Sequence, residues 1–276
     1  MKTTKFILAA TIVAMTAASC GNKQEAPKTL VLYYSQTGNT RAVAEEFANR
    51  LGADIEEITC VDPYDTNFQA CIQRCLKERE AGVLPEIQSV AANVADYDVV
   101  FIGYPVWFGT YAPPVIKWLE GVDLSGKKVV PFCTFGSGGL ESSTKDMIAA
   151  QPNAKVEEGY GVRAARLEAM PKEVEEYLVA HGFIEGQYVA PAAFPEQHEV
   201  SEEEAAIFDA AVDGYPMLHA KAKSVAMRAL PNGSEYCFTA VDMPREDKPD
   251  MPPAGELTVY VLVADGQAPV FTRVVR

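Results

Sequence analysis

The chain has 276 residues, 48% of them hydrophobic, 9% aromatic and 22% charged, which is the make-up of an ordinary globular protein with enough apolar side chains for a sizeable core. That length leaves room for two domains. The formal net charge of −14 excludes nucleic-acid binding, because a phosphate backbone calls for a basic face.

The N-terminus reads as a targeting segment and not as part of the fold. Lys2 and Lys5 lead into an apolar run from Phe6 to Ala18, followed by small residues and Cys20. A basic start, a short apolar stretch and a small-residue cleavage zone describe a secretory signal over residues 1–19, too short to span a bilayer. Ala17-Ala18-Ser19-Cys20-Gly21 resembles a bacterial lipobox, although Leu is commoner at the place of Ala17. The resemblance implies lipidation of Cys20, with residues 20–28 as a polar tether and the protein anchored to a membrane of the cell envelope. Loss of Lys2 and Lys5 makes the mature chain two units more acidic.

Strand and helix patterns then alternate. A strand over Thr29–Tyr34 leads to a helix over Thr40–Leu51, whose Val43, Phe47 and Leu51 form an apolar stripe. A second strand (Ala53–Thr59) precedes a helix from Asn67 to Ala81 carrying Cys71 and Cys75 on one face, read as buried thiols. The run Asp98–Tyr104 is continuously apolar, as in a strand buried on both faces. A helix begins at Pro113, and a fourth strand spans Lys128–Thr134, with Pro131 an awkward residue for a central strand. A helix near Leu140–Ala150, a strand near Lys155–Gly161 and a helix from Lys172 to His181 complete a doubly wound α/β pattern over residues 29–184. Residues 185–200 read as a linker. Ser201 and Glu204 then form a capping box, and hairpins around Asn232-Gly233 and Asp265-Gly266 predict a small helix-plus-antiparallel-sheet α+β domain over 201–276, interrupted by a proline-rich loop at Met243–Ala254.

Three loops leave strand C-termini with unusual composition. Ser35-Gln36-Thr37-Gly38-Asn39-Thr40 joins a strand to a helix N-terminus, where backbone N–H groups, three hydroxyls and the helix dipole suit a phosphate held by neutral donors. Pro105-Val106-Trp107-Phe108-Gly109-Thr110 offers a flat aromatic surface. Thr134-Phe135-Gly136-Ser137-Gly138-Gly139 offers backbone groups without side-chain bulk. In an open parallel sheet ligands bind beyond the carboxyl ends of the strands, and together the loops suit a planar heterocycle carrying one phosphate, such as FMN. The sequence has no Gly-x-Gly-x-x-Gly fingerprint, nucleophile–base pair or metal-ligand cluster, and His181, His198 and His219 lie outside the loops, His181 near a helix C-terminus in a capping position.

These segments resemble the flavodoxin family over about residues 28–184. The resemblance implies a five-stranded parallel sheet of order 2-1-3-4-5 with helices on both faces. It implies phosphate contacts from Ser35, Thr37, Asn39 and Thr40, a ring lying against Trp107, and backbone of Gly136 to Gly139 at the pyrimidine edge. Where many flavodoxins place a stacking Tyr in the second flavin loop, this chain has Phe135 and glycines, leaving one ring face open to a substrate or to the second domain. Acidic surroundings and few cations near the ring are expected. The function implied is FMN-dependent electron transfer in the cell envelope, with a redox partner protein or small acceptor. The alternatives are an NAD(P)H:quinone-type oxidoreductase and a tethered binding module.

Overall fold

The computed structural model describes residues 27–244 and 255–276. The expectations for the signal, Cys20, the tether and most of the proline-rich loop lie outside the described residues.

Residues 29–180 build a parallel sheet between two layers of helices. Its elements are β1 (Thr29–Tyr33), α1 (Asn39–Leu51), β2 (Asp54–Glu57), α2 (Phe68–Ala81), β3 (Val99–Trp107), β4 (Thr110–Tyr111), α3 (Pro113–Glu120), β5 (Lys128–Phe135), α4 (Leu140–Ala150), β6 (Lys155–Val156), β7 (Tyr160–Arg163) and α5 (Met170–Ala180). The strand order is β2-β1-β3-β5, with β6 and β7 sharing the fifth position beside β5. This is the expected 2-1-3-4-5 sheet.

Alternation along each strand feeds both faces. Leu30, Leu32, Val100, Ile102 and Val129 pack with Cys71 and Cys75 of α2, Val115 and Leu119 of α3 and Met147 of α4. Val31, Tyr33, Phe101, Val130 and Phe132 pack with Val43 and Phe47 of α1 and Val174 and Leu178 of α5. Phe47 sits 5.1 Å, centroid to centroid, from both Phe101 and Phe132. All five described cysteines are free thiols, and Cys60, Cys71, Cys75 and Cys133 are buried.

Two strands depart from their expected course. β3 runs past Tyr104 to Trp107 and folds back as a hairpin, pairing Val106 with Tyr111 and Trp107 with Thr110. Its two-residue turn is Phe108 (φ 52°) and Gly109 (φ 85°), the left-handed pair that matches hairpin twist. The fifth strand is split. Val156 pairs with Val129 and Tyr160 with Phe132, so three residues on one strand face two on the other, opposite Pro131, which has no N–H to donate.

The C-terminal part is β8 (His198–Glu199), α6 (Glu202–Val212), β9 (Ala220–Leu230), β10 (Gly233–Asp242), β11 (Glu256–Ala264) and β12 (Val270–Val275), an antiparallel sheet in the order β12-β11-β10-β9-β8. Ser201 and Glu204 form the capping box at the start of α6. One sheet face buries Val225, Phe238, Val259 and Phe271 under Phe208 of α6. The segment expected as a linker lies along the opposite face. Gln197 accepts hydrogen bonds from Ser224 and Thr239, Arg228 donates to the Ala192 carbonyl, and Phe194 meets the Tyr260 ring.

Candidate functional site

β1, β3 and β5 are neighbours in the sheet, so the three unusual loops leave one edge side by side. They are also tied together. Thr40 Oγ1 and Thr134 Oγ1, both buried, share a hydrogen bond of 2.8 Å, which joins the first loop to the end of β5. Ser142 Oγ donates to the Gly109 carbonyl, joining the start of α4 to the tip of the β3–β4 hairpin. Gly139 lies against Val106 so closely that an added Cβ would fall 2.5 Å from Val106 Cγ1.

In the first loop, α1 begins after Gly38 (φ 88°), which gives no side-chain cap to the helix. The Gly38 and Arg41 N–H groups instead converge on Ser35 Oγ, each at 3.2 Å. That convergence is the concave donor set a phosphate oxygen requires, with the unpaired N–H groups of a helix's first turn around it. Thr37 and Gly38 are exposed, and nothing lies within 4 Å of the space a Cβ on Gly38 would take. Two side chains are used otherwise. Gln36 accepts from the Tyr34 hydroxyl and donates to the Tyr64 and Asp65 carbonyls, fastening the turn to the loop before α2. The Thr40 hydroxyl faces Thr134, so what Thr40 presents at the turn is its N–H. Arg41 donates to both carboxylate oxygens of Glu57, which neutralises the cation nearest the turn.

In the second loop, Trp107 is half-buried and held edge-on by Tyr64 (5.1 Å) and Tyr34 (5.9 Å). Burial raises the pKa of both tyrosine hydroxyls, which keeps them neutral beside the indole. Burial likewise pushes the Cys60 and Cys75 thiols up to about 11. Phe108, at the hairpin tip, is exposed and stacks under the Arg79 guanidinium at 4.7 Å.

The third loop is gripped from behind by parts of the chain that local sequence does not connect with it. Arg163 Nε donates to the Gly136 carbonyl at 2.8 Å, and its Nη1 donates to the Phe271 carbonyl at 2.8 Å. The Val274 N–H donates to the Ser137 carbonyl at 2.6 Å. A Cβ on Gly136 would meet the Tyr215 hydroxyl at 2.8 Å, and one on Gly138 the Val274 carbonyl at 2.1 Å. These two glycines are therefore needed for the approach of the C-terminal sheet, a reason no reading of the loop alone supplies. Arg276 reaches Ser137 Oγ at 3.5 Å and Arg273 faces Glu141 at 3.4 Å, so cations gather at this loop despite the acidic composition. The histidines stay outside: His181 caps α5 through the Tyr177 carbonyl, and His198 pairs with Glu204.

Residues 28–178 match the family model for flavodoxin. The chain belongs to the flavodoxin family. Among solved structures it is similar to a protein from Bacteroides eggerthii DSM 20697 assigned as a flavoprotein, at 30% identity over 56% of this chain and 97% of that one, with a TM-score of 0.49. A second such protein, from Bacteroides uniformis ATCC 8492, shows 27% identity over 55% of this chain and 99% of its own, with a TM-score of 0.48. A flavoprotein of Lactobacillus acidophilus NCFM, crystallised in complex with FMN, shows 24% identity over 53% and 98%, with a TM-score of 0.44. No curated protein matches the chain.

This flavodoxin's residues fit a flavin. The Ser35–Arg41 turn converges donors on one acceptor position, and Trp107 offers a ring braced at its edges. Among the described residues, the N–H groups of Ser137, Gly138 and Gly139 have no protein acceptor, as a heterocycle's carbonyl edge requires. Two open clefts of about 920 and 710 Å³ lie at the opposite edge of the sheet, near Lys117 and Lys127 and near Asp98 and Lys128, away from these loops.

Proposed function

We propose that this flavodoxin binds FMN and carries electrons one at a time at the bacterial cell envelope, tethered by a lipid on Cys20. The observation that carries the FMN reading is the interlock of the three loops at one sheet edge. A donor-lined turn, an aromatic face and a row of free N–H groups suit the phosphate, ring and pyrimidine edge of one mononucleotide. Ser35, Thr37 and Asn39 with the first-turn N–H groups of α1 would hold the phosphate, Trp107 would lie against the ring, and Ser137 to Gly139 would meet the pyrimidine carbonyls. Bound FMN supplies the redox chemistry. The chain's own residues orient it: Gln36 fixes the phosphate turn, Tyr34 and Tyr64 fix Trp107, and the Thr40–Thr134 bond sets the spacing between the first and third loops.

The carrier reading is favoured over nucleotide-dependent turnover because the sequence has no Gly-x-Gly-x-x-Gly fingerprint, and because the net charge of −14 suits docking to a basic redox protein. The N-terminal pattern around Cys20 supports the envelope assignment. Titration of the purified chain with FMN, followed by absorbance and by stepwise electrochemical reduction, tests the reading. The expected result is saturable binding, reduction in two separable one-electron steps and negligible NAD(P)H oxidation. A protein that stays colourless at saturating FMN overturns the flavin reading, and rapid NAD(P)H consumption overturns the carrier in favour of the oxidoreductase. Labelled fatty acid incorporated by the wild type and not by Cys20→Ala tests the anchor.

A further inference from the structure

We infer that the C-terminal sheet is a working part of the flavin site. Through Arg163 and the Val274 N–H, the junction between the two sheets orients and polarises the donors of the third loop, which makes Arg163 a positioning residue for the pyrimidine edge of the flavin. The inference rests on the FMN reading above.

The geometry comes from two consecutive peptide groups. The Gly136 carbonyl is bonded to Arg163 and the Ser137 carbonyl to Val274. In a trans peptide the N–H points opposite to the C=O. With both carbonyls turned toward the C-terminal sheet, the Ser137 and Gly138 N–H groups both turn away from it. Successive N–H groups on one side make a nest, which favours an electron-rich acceptor. Each carbonyl also accepts from a donor behind it, and one of these donors is a guanidinium. This polarises the peptide and strengthens the N–H on its far side.

Arg163 is built for this place. It is 7% exposed, it has no carboxylate partner among the described residues, and its guanidinium lies 3.4 Å from the Phe271 ring centroid and 5.2 Å from that of Tyr215. A buried cation satisfied only by carbonyls and aromatic faces is costly to keep, so a methylene-rich substitute would pack there at less expense if packing were its whole role. A flavin gains negative charge on reduction. A cation behind the nest therefore favours the reduced form, and its removal lowers the reduction potential.

The test uses the full chain with three substitutions. Arg163→Met removes charge and donors, Arg163→Lys keeps the charge without the fork, and Val274→Pro deletes one inter-sheet donor on the outward side of edge strand β12, where proline is tolerated. Affinity is read by quenching of flavin fluorescence, with FMN and with phosphate-free riboflavin. The midpoint potential of the bound FMN is read by dye equilibration, and folding by near-ultraviolet circular dichroism. Arg163→Met and Val274→Pro are expected to weaken both ligands about tenfold or more, because the loss is at the ring and not at the phosphate. Arg163→Met is expected to lower the potential, while Arg163→Lys restores the potential more than the affinity. If Arg163→Met does not fold, Val274→Pro with its charge intact decides the matter. Folded variants with wild-type affinity for both ligands and wild-type potential overturn the inference and leave the FMN reading standing. A wild type that binds neither ligand overturns the FMN reading itself.

Discussion

Replacing Thr134 with Val keeps the shape of a buried side chain and deletes one hydroxyl of the pair that joins the first loop to β5. Thr40 is 1% exposed and Thr134 4%, and their oxygens are 2.8 Å apart, so water does not substitute for the lost partner. A buried hydroxyl left unpaired costs about 1–3 kcal/mol, whereas removing both partners forfeits only the net worth of the bond, about 0.5–1.5 kcal/mol. Thr40→Val and Thr134→Val should each destabilise by about 1–3 kcal/mol. The double variant should cost less than the sum of the two single losses, with a coupling of about 1–3 kcal/mol. Urea unfolding followed by tryptophan fluorescence measures this cleanly, because the two tryptophans, Trp107 and Trp118, both lie in the parallel-sheet part of the chain. With a slope of about 2 kcal/mol per molar, a loss of 2 kcal/mol moves the midpoint by about 1 M. Single losses that add within about 0.5 kcal/mol would refute the pairing. The Thr40 hydroxyl faces inward, so Thr40→Val should weaken FMN and riboflavin alike, while Thr37→Val at the exposed turn should weaken FMN alone.

Trp107→Ala should weaken FMN binding by about 1–3 kcal/mol, the scale for losing a buried aromatic face; unchanged affinity in a fluorescence titration would count against the ring's placement. The Cys60 and Cys75 thiols, pushed up to about 11 by burial, should resist alkylation at pH 8 in the native protein and react in guanidinium, read by mass spectrometry; rapid native labelling at either position would show that the α2 face opens. Burial raises the Glu204 pKa, but hydrogen bonds from Ser201 and His198 outweigh it and leave the carboxyl below its ordinary 4.5. A lowered folded-state pKa means that the capping box stabilises fully above the unfolded value and loses its contribution as pH falls through the folded one. Thermal melts of wild type and Glu204→Gln should therefore differ above the ordinary carboxyl value of 4.5 and draw together as the pH falls below it, and a constant difference would exclude the linkage.

The parallel sheet was legible because its signals are local and periodic. Val43 and Phe47 at helical spacing do reach zero exposure against the sheet, and Val99 to Ile102 are buried on both faces as a continuous apolar run predicts. Asn232-Gly233 and Asp265-Gly266 do mark turns between antiparallel strands. The β3–β4 hairpin was not legible, because its turn puts a bulky Phe108 at positive φ, where sequence rules expect Gly, Asn or Asp. Residues 185–200 read as a linker because their fixings to Ser224, Thr239, Tyr260 and Arg228 are long-range and carry no period. The same holds at the third loop. Gly136 and Gly138 invite a ligand-based explanation, and only the folded chain shows Tyr215 and Val274 filling the space their missing side chains leave.

The least comfortable residue of the sequence also has a consequence at that loop. Pro131 withholds a ladder donor in the middle of β5, and the fifth strand answers by splitting, with one extra residue between β6 and β7. Gly159 makes the bulge possible, since a Cβ there would lie 2.5 Å from the Pro131 carbonyl oxygen, and Gly161 lets β7 close onto Phe135, where a Cβ would lie 2.7 Å from the ring. The realigned β7 sets Arg163 opposite Phe135, the last residue of β5. From that register its side chain meets the very next carbonyl, Gly136, and continues to Phe271 in the other sheet. An extra residue reverses which face each later side chain of a strand addresses, since the side-chain period is two. Without the bulge, the position opposite Phe135 would fall to Val162, and the cation would be turned from the junction. A proline that looks like a fault in the central strand is thus part of how a buried arginine comes to stand behind the flavin loop.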